Sequence, residues 1–403
     1  MSRGLVAALA LVLLAAPARA ADVQIGAHGV FYVNGQPTFL IGLSPGPPLG
    51  GLTPDGSDAW AEVSASGVRM FRYVPPGDWS PERYPAAFEF LDQAHAYDSV
   101  VWLGLRELAR AQPGTPEEAR LREVIWLFAD HPGMGLWRGI DEPWWSGVPA
   151  EETAHAYATI EQLDPATPFM TIQAARGTHA DLAPYSAVTD VHGADPYPIR
   201  FDQRYLGYDL HMVGRWTRLM RSITPSRAVM MTLGICHRGA RSRDLSLFVH
   251  PTRRELRYQV YDAISNGARG LNFYGAHICL APADAELGWN WKTWSNAIRP
   301  VLREIAPGSP LHEALVRPGT GVGLRVAGTR ASVISRRTAT DLWAIVTRHA
   351  RGPGKLTIRV SGLPPRVRYG KVYGKPSRIE VRNGAVTLRL REWGVQVLRF
   401  PVP

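Results

Sequence analysis

The sequence repeats one pattern eight times: a short apolar run of strand-forming residues, followed by a segment with helical spacing. Most of these runs are apolar at nearly every position, which is typical of parallel strands buried on both faces. The predicted strands cover residues 39–43, 68–73, 100–105, 134–140, 169–172, 188–193, 228–233 and 270–274. The predicted helices lie near residues 81–97, 116–130, 150–163, 178–184, 206–222, 252–266 and 290–305. Eight such units predict an α/β fold of the (β/α)8 TIM-barrel type.

The alternative arrangement of the same units is an open, doubly wound sheet. Such sheets commonly carry a glycine-rich phosphate loop after the first strand, and this sequence has none. Helix-start signals support the helical segments, because Thr115 is followed by Pro116 and two glutamates, and Thr252 precedes another predicted helix. An N-terminal β-hairpin with an Asn34-Gly35 turn comes before the series. We therefore favour the barrel.

A second domain follows the barrel. After a Pro-Gly-Ser-Pro segment at residues 307–310, the apolar period changes from that of a helix to that of a strand. Short alternating segments then cover residues 322–326, 331–335, 342–347, 355–360, 366–372, 378–381, 385–390 and 394–400. This pattern predicts an all-β sandwich. We divide the chain into a signal peptide at residues 1–20, a barrel at 21–306 and a C-terminal β-sandwich at 307–403.

The first 20 residues have the composition of a secretory signal peptide. Arg3 precedes an apolar run at residues 5–16, and residues 18–20 (Ala-Arg-Ala) match a cleavage site, which gives a mature chain that begins at Ala21. The run is shorter than the roughly 20 residues that span a membrane, so an uncleaved anchor is the weaker alternative. The mature protein is expected to be secreted or periplasmic, without a transmembrane segment.

The chain has two cysteines, Cys236 and Cys279, which is too few for a disulfide scaffold. Both follow neighbouring predicted strands at the same end of the barrel. In an oxidising compartment they could form a disulfide, but spacing alone leaves the question open.

Charge is distributed unevenly along the chain. The formal net charge is +10, but residues 307–403 carry +14 and residues 21–306 carry −6. Concentrated positive charge predicts an anionic partner, so we expect the C-terminal domain to bind an anionic polysaccharide or an envelope surface. The alternative is a solvated sandwich whose arginines reflect composition only. Nucleic acid would be attracted by the same charges, but export argues against it as the natural partner.

Polar and aromatic residues gather where the predicted barrel strands end. In a TIM barrel the loops after the strands form the active site. Carboxylates catalyse the cleavage of glycosidic bonds, and Trp and Tyr rings present flat apolar faces on which sugar rings can stack. The residues at the predicted mouth are Arg72, Glu107, Asp141, Glu142, Trp144, Trp145, His192, Asp195, Tyr197, His237, Tyr274, His277, Trp289 and Trp291.

One strand end carries a motif of a known family. Residues 135–143 (GLWRGIDEP) resemble the fourth strand of the clan of retaining (β/α)8 glycoside hydrolases, in which an Asn-Glu-Pro end carries the acid/base glutamate. Residues 195–198 (DPYP), Phe71-Arg72, the opening hairpin and segment 267–274 are similar to bacterial members of that clan. The resemblance covers about residues 25–305. It implies hydrolysis of a poly- or oligosaccharide, with Glu142 as the proton donor and no cofactor or metal.

The sequence departs from the family at strand 7, where the family has a nucleophilic glutamate and residues 230–235 contain none. We expect Asp195 to supply the second carboxylate, as nucleophile or base, with Glu107 and Asp141 as alternatives. A separation of about 5–5.5 Å from Glu142 would predict retention of configuration, and about 6.5–9.5 Å would predict inversion. The other residues of the mouth are expected to bind the sugar.

Three other interpretations are open at this point. Glu142 could be a structural ion-pair partner of Arg138, which shares its face at the period of a strand. The barrel could bind a glycan without cleaving it, since the strand-7 glutamate is missing. The third is a metal-dependent hydrolase with ligands from Asp195 and three histidines, His192, His237 and His277.

Overall fold

Three short antiparallel strands open the chain and cover one end of the barrel. The computed structural model describes residues 22–200, 208–238, 248–318, 323–361 and 363–402. Strands β1 (Val23–Ile25), β2 (Phe31–Val33) and β3 (Gln36–Thr38) form one sheet, and the predicted turn at Asn34 and Gly35 joins β2 to β3 with positive φ angles of 51° and 74°. Val23 and Phe31 pack against apolar side chains inside the barrel, so this sheet closes the amino-terminal end.

Eight parallel strands form a closed barrel, which confirms the predicted fold. Strands adjacent in sequence are adjacent in space, and the first and last pair with each other. A two-stranded hairpin, β11 (His237–Arg238) and β12 (Phe248–Val249), interrupts the series. The barrel strands are β4 (Leu40–Ser44), β5 (Met70–Tyr73), β6 (Val100–Gly104), β7 (Met134–Asp141), β8 (Phe169–Gln173), β9 (Val191–Ala194), β10 (Ala228–Gly234) and β13 (Gly270–Tyr274).

Successive side chains of each strand alternate between the barrel interior and the surrounding helices. Leu40 and Met70 belong to the interior cluster, whereas Ile41 and Phe71 belong to the larger cluster beneath the helices. Because both faces are covered, nearly every position of a strand is buried. This explains the continuous apolar runs in the sequence.

The helices surround the barrel, and several begin at the predicted caps. The Thr115 hydroxyl accepts a hydrogen bond from the Glu118 backbone N–H, and Thr252 with Glu255 forms a capping box. No described helix is both long and apolar enough to cross a membrane. The helices are α1 (Ala59–Ala65), α2 (Tyr84–Ala96), α3 (Pro116–Phe128), α4 (Ala150–Leu163), α5 (His179–Leu182), α6 (Met212–Ile223), α7 (Arg253–Ser265), α8 (Pro282–Ala285), α9 (Trp291–Thr293), α10 (Arg299–Ile305) and α11 (Pro310–Leu315).

Two helical regions differ from the prediction. Helix α1 was not predicted, although Asp58 caps it by accepting hydrogen bonds from Trp60 and Ala61; its seven residues are too few for a clear periodic signal. The single helix predicted at 290–305 is divided into α9, a π-helical segment (Trp294–Ile298) and α10. The predicted start of the helix at 206 lies outside the described residues.

The C-terminal region consists of two antiparallel sheets around a separate apolar core, as predicted for a β-sandwich. One sheet has the order β14-β17-β20 and the other the order β15-β16-β21-β18-β19. These strands are β14 (Leu324–Gly328), β15 (Ala331–Arg337), β16 (Asp341–Arg348), β17 (Gly354–Val360), β18 (Tyr369–Val372), β19 (Arg378–Glu380), β20 (Ala385–Leu390) and β21 (Val395–Pro401).

The sandwich packs directly on the barrel through β16. One face of this strand, with Leu342 and Val346, lies in the sandwich core, while Trp343 and Ile345 on the other face lie in the barrel-side core. The fully buried Asp262 of α7 accepts a hydrogen bond from the Thr347 hydroxyl (3.1 Å) across this boundary. Helix α11 also packs in the barrel-side core, so the residues just after 307 stay with the barrel and the sheets begin at β14.

Candidate active site

The barrel interior becomes polar toward the carboxyl ends of its strands. The Ser44 hydroxyl donates to Asn272 Oδ1 (2.8 Å), and Asn272 Nδ2 donates to the Thr232 hydroxyl (3.3 Å), so strands β4, β13 and β10 are joined inside the barrel. Arg72, near the end of β5, extends over the Tyr274 ring of β13, with its guanidinium carbon 5.0 Å from the ring centre. The mouth is therefore polar and aromatic, as predicted.

Glu142 follows the last residue of β7 in a left-handed backbone conformation, with φ of 48°. Its N–H donates to the Ile172 carbonyl (3.0 Å), and its own carbonyl accepts from the Ser146 N–H (2.9 Å). The β7–β8 pairing is irregular between Arg138 and Asp141. A non-glycine residue with positive φ is uncommon and is maintained only where surrounding contacts hold it. These contacts hold the Glu142 side chain at the mouth.

Arg138 pairs with Asp141 and not with Glu142. Its guanidinium contacts the Asp141 carboxylate in a salt bridge and lies over the Trp102 ring, 5.1 Å from the ring centre. Burial lowers the pKa of Arg138, and the nearby Asp141 charge opposes that shift. The irregular pairing that precedes Glu142 breaks the strand period, which explains why residues 138 and 142 do not face each other. The ion-pair interpretation of Glu142 is therefore wrong.

Glu142 and Asp195 form a pair of carboxyl groups that line one cleft of the mouth. Asp195 is 8% exposed and Glu142 is partly exposed. Burial raises the pKa of Asp195 far above its ordinary range, and the charge of Glu142 and a side-chain hydrogen bond with it act in the same direction. Two carboxyl groups in contact cannot both be charged at low cost, so the pair retains one proton at neutral pH.

The Tyr197 ring covers the last residue of β10. The last residue of β10 is Gly234, and a Cβ atom there would lie 2.7 Å from the Tyr197 ring. The ring of Tyr197 stacks on that of Tyr274, with 6.1 Å between centres. A side-chain hydrogen bond links Tyr197 to Asp195. A tyrosine therefore covers the end of β10, where the sequence has no glutamate.

A cleft of about 420 Å³ opens beside the carboxyl pair. Trp145 is 53% exposed, and the guanidinium carbon of Arg176 lies 4.1 Å from the centre of its ring. This arrangement leaves an aromatic surface and positive charge next to two carboxyl groups. The residues that line the cleft are Glu142, Trp145, Ala174, Ala175, Arg176, Asp195, Tyr197, Arg200, Met212 and His237.

Arg176 and Arg200 belong to the cleft but were not predicted. Arg176 follows β8, and the residues after this strand contain neither a carboxylate nor an aromatic ring that would mark them as part of the site. Arg200 follows the 195–198 segment. The one signal for Arg176 in the sequence is its place just after a barrel strand, where the loops form the mouth.

Arg72, Tyr274 and His277 form a second group beside the cleft. The His277 ring lies edge-on to Tyr274 with 5.8 Å between centres, and Tyr274 in turn stacks on Tyr197. Burial and the charge of Arg72 lower the pKa of His277, which favours its neutral form. These three predicted residues are therefore linked to the carboxyl pair by contacts through the Tyr197 ring, on which Tyr274 stacks.

His192 and Trp289 are buried and cannot contact a substrate, so the prediction that they bind sugar is wrong. His192 is 0% exposed and lies on the outer face of β9, the face it shares with Ala194 of the cluster beneath the helices. Trp289 is 1% exposed, and its indole N–H donates to the Leu52 carbonyl (3.0 Å). Both are packing residues.

The buried His192 is expected to make the fold sensitive to acid. Burial lowers its pKa to about 4, whereas an unfolded histidine has a pKa of about 6.5. The stability that the neutral, buried His192 side chain contributes is complete above pH 6.5. It is lost as the pH falls to 4, which lowers the free energy of unfolding by about 3 kcal/mol. Denaturant unfolding at pH 7 and 4.5 should show a smaller acid loss in His192→Leu. The variant of an exposed histidine, His95→Leu, should lose as much stability between pH 7 and 4.5 as wild type. If His192→Leu lost as much as wild type too, His192 would not be the group that makes the fold sensitive to acid.

Three further predicted residues lie outside the cleft. Glu107 accepts a hydrogen bond from the Trp79 backbone N–H (2.7 Å) and so anchors the loop after β5. The Trp144 ring lies against Gly177 and packs on apolar side chains of the helix layer. Trp291 begins α9, packs edge-on against Trp289 and lies under the Arg299 guanidinium. Their contacts are structural.

Cys236 and Cys279 form a disulfide with a Cα–Cα distance of 6.2 Å. It joins the loops after β10 and β13, next to His237 and His277. Among the described residues, no group of three His, Cys, Asp or Glu side chains is arranged to hold a metal ion, so the histidines do not converge with Asp195 as the metal-site interpretation required.

Removing the disulfide is expected to lower stability. The bond joins residues 43 apart, and closing a loop of that length restricts the unfolded chain by about 4 kcal/mol in the chain-entropy model. Urea unfolding of the Cys236→Ser/Cys279→Ser variant should show a loss of this order. Wild type treated with a reductant should show the same loss of stability. If the variant and the oxidised wild type were equally stable, the disulfide would not stabilise the fold.

Comparisons with known proteins show similarity at the level of fold. The sequence matches no protein-family model, and no curated protein is similar to it. A solved glycoside hydrolase structure has a TM-score of 0.64 at 12% identity, over 94% of this chain and 97% of that one. A glycoside hydrolase family 5 protein from Bacteroides vulgatus has a TM-score of 0.61 at 13% identity, over 94% and 93%. A GH42 β-galactosidase from G. stearothermophilus has a TM-score of 0.56 at 9% identity, over 95% and 100%. The expected resemblance to (β/α)8 glycoside hydrolases is confirmed for the fold.

Proposed function

We propose that the protein is an exported glycoside hydrolase that cleaves a polysaccharide by general acid catalysis. The observation that supports this most directly is the pair of Glu142 and Asp195, which keeps a proton at the mouth of the barrel. A general acid must remain protonated at the working pH, and burial beside a second carboxyl group achieves this. The cleft next to the pair offers an exposed tryptophan for a sugar ring.

Glu142 is the member of the pair that contacts the substrate, because it is the more exposed. The proton that the pair retains passes through Glu142 to the glycosidic oxygen, the bond from that oxygen to the anomeric carbon breaks, and the leaving sugar departs as an alcohol. Water then adds to the anomeric carbon, and the proton that it loses restores the carboxyl pair. The buried Asp195 keeps the pair protonated and acts through Glu142.

This assignment differs from the expectation that Asp195 attacks the sugar. Carboxyl groups in hydrogen-bond contact are closer than the separations of about 5 Å or more that place a sugar between acid and nucleophile. The second carboxylate is Asp141, which forms a salt bridge with Arg138 and whose side chain is 64% exposed. We assign to Asp141 the stabilisation of positive charge at the anomeric carbon and the orientation of water.

The substrate that fits this cleft is an acidic polysaccharide. Arg176 and Arg200 line it, and the guanidinium carbon of Arg176 lies 4.1 Å from the centre of the Trp145 ring. A guanidinium presents paired donors that match a sugar carboxylate. A ring stacked near Trp145 would bring such a carboxylate within reach of Arg176.

We infer a secreted or periplasmic location. The signal-like first 20 residues motivate this inference. The disulfide between Cys236 and Cys279 supports it, because such bonds persist in oxidising compartments.

The experiment that tests the function is incubation of the purified protein with a panel of neutral and acidic polysaccharides. Reducing-end release and binding are measured in parallel, with and without a chelator. We expect release from an acidic member, unaffected by the chelator. Binding without release would overturn hydrolysis and favour the glycan-binding alternative, and release abolished by the chelator would favour a metal-dependent hydrolase.

A further inference from the structure

A large basic groove lies between the two domains, away from the cleft. It has a volume of about 1,070 Å³ and is formed by helices α7 and α10 of the barrel and by strands β20 and β21 and the loop after β18 of the sandwich. We call it the interdomain groove. Its basic residues are Arg253, Arg254, Arg257, Arg303, Lys375, Arg389 and Arg391.

Most of the positive charge in the interdomain groove is uncompensated. The one acidic residue that lines it, Glu304, is bound by Arg257 in a salt bridge of 2.8 Å. Arg254 donates to the backbone carbonyl of Glu392 (2.6 Å). The other five basic side chains are exposed and form no ion pair with any residue of the described chain; they are Arg253, Arg303, Lys375, Arg389 and Arg391.

The groove draws its charge from both domains. Four of its arginines belong to the barrel, although residues 21–306 carry a net charge of −6. Composition alone would scatter arginines over the surface, whereas here residues of both domains bring them to the lining of a single groove. Like charges placed in this way repel, and a concave wall strengthens their combined field. A bound polyanion would remove this repulsion.

The groove also carries aromatic side chains. Trp393 and Tyr373 line it, and both are partly buried. Such rings give flat apolar contacts to sugar units between charged groups. A polymer with alternating apolar sugar faces and carboxylates matches this combination.

We propose that the interdomain groove is a second binding site, which holds an acidic polysaccharide chain by its carboxylates. The choice of a polysaccharide over other polyanions rests on the function proposed above. The site contains none of the residues of the cleft, so it binds independently of bond cleavage.

The test measures binding of polygalacturonate by titration calorimetry over a range of salt concentrations. All proteins carry Glu142→Gln, so that any cleavage of the probe during the titration is slow. Arg303→Gln with Arg391→Gln removes one charge from each wall of the groove. The matched control is Arg325→Gln with Arg366→Gln, two exposed arginines outside the groove. We expect the groove variant to bind about fivefold more weakly, the control to bind within about twofold of the parent, and affinity to fall as salt rises.

Three results would overturn the proposal. Equal weakening of both double variants would show that diffuse surface charge is responsible. Tighter binding of duplex DNA or of anionic phospholipid vesicles to the groove would assign it to another class of polyanion. Absence of salt-sensitive polygalacturonate binding would show that the groove does not bind this class of polymer. Hydrolysis by the unmodified protein is measured separately, so failure of the proposed activity and failure of this site are distinguishable.

Discussion

Replacing Glu142 with glutamine is expected to lower kcat by about 10²–10⁴-fold on a natural polysaccharide, the range that general acid catalysis contributes. Glutamine has the shape of glutamate and tolerates the same backbone conformation, so the φ of 48° is retained. It has no proton to give to the glycosidic oxygen. Initial rates of reducing-end release measure the effect.

A change of leaving group separates proton donation from other roles of Glu142. An aryl glycoside with a strongly acidic phenol needs little protonation, so the loss in Glu142→Gln should shrink on such a substrate. The matched control is Glu107→Gln, a carboxyl group that anchors the Trp79 loop outside the cleft and whose amide oxygen can still accept that hydrogen bond. Equal losses on both substrates, or similar losses in both variants, would contradict the assignment of Glu142 as the acid.

The second large effect concerns the pH profile. The pKa of Asp195 is raised, mainly by burial and further by Glu142, so the pair keeps its proton through neutral pH. Activity should therefore persist at neutral pH and fall only on the alkaline side, as the shared proton is lost. In Asp195→Asn the group whose raised pKa holds the shared proton at neutral pH is gone, so the pair has no proton to pass to the glycosidic oxygen. We expect activity at pH 7 to fall by about 100-fold or more, within the range that general acid catalysis contributes, and the optimum to move to acid pH.

The profile of kcat/KM from pH 4 to 10 checks this expectation. Glu107 is again the informative control, because burial also raises the pKa of that carboxyl group. If Glu107→Gln shifted the alkaline limb, the titrating group would lie outside the cleft. If Asp195→Asn kept the wild-type limb, the shared-proton pair would be refuted.

The sequence predicted the fold closely because the signals for it are local. Each barrel strand is buried on both faces and therefore reads as an apolar run, and the observed strand β13 (Gly270–Tyr274) coincides with its prediction. The Asn34-Gly35 turn and the Thr252 cap depend only on neighbouring residues. Helix α1 escaped prediction because it is too short to show a period.

The site was predicted less completely, because its geometry depends on contacts between distant segments. Glu142 and Asp195 were found from their positions at strand ends, but their contact and the raised pKa of Asp195 follow from burial. The pairing of Arg138 with Asp141 depends on a shift of register in the β7–β8 pairing, which no residue type in the sequence indicates. His192 is an instructive case, since it lies three positions before Asp195 and so belongs to the opposite face of the strand. That alternation could have excluded it from the mouth.

The two-faced burial of β16 has a consequence for how this protein can be divided. Trp343 and Ile345 belong to the same apolar cluster as the barrel helices, and Thr347 contacts the buried Asp262. A fragment that ended before this strand would expose apolar side chains of the barrel helices to water, and Asp262 would lose its hydrogen bond from Thr347. The β-sandwich therefore completes the core around the barrel, and its contribution to stability is better measured by point substitution than by truncation.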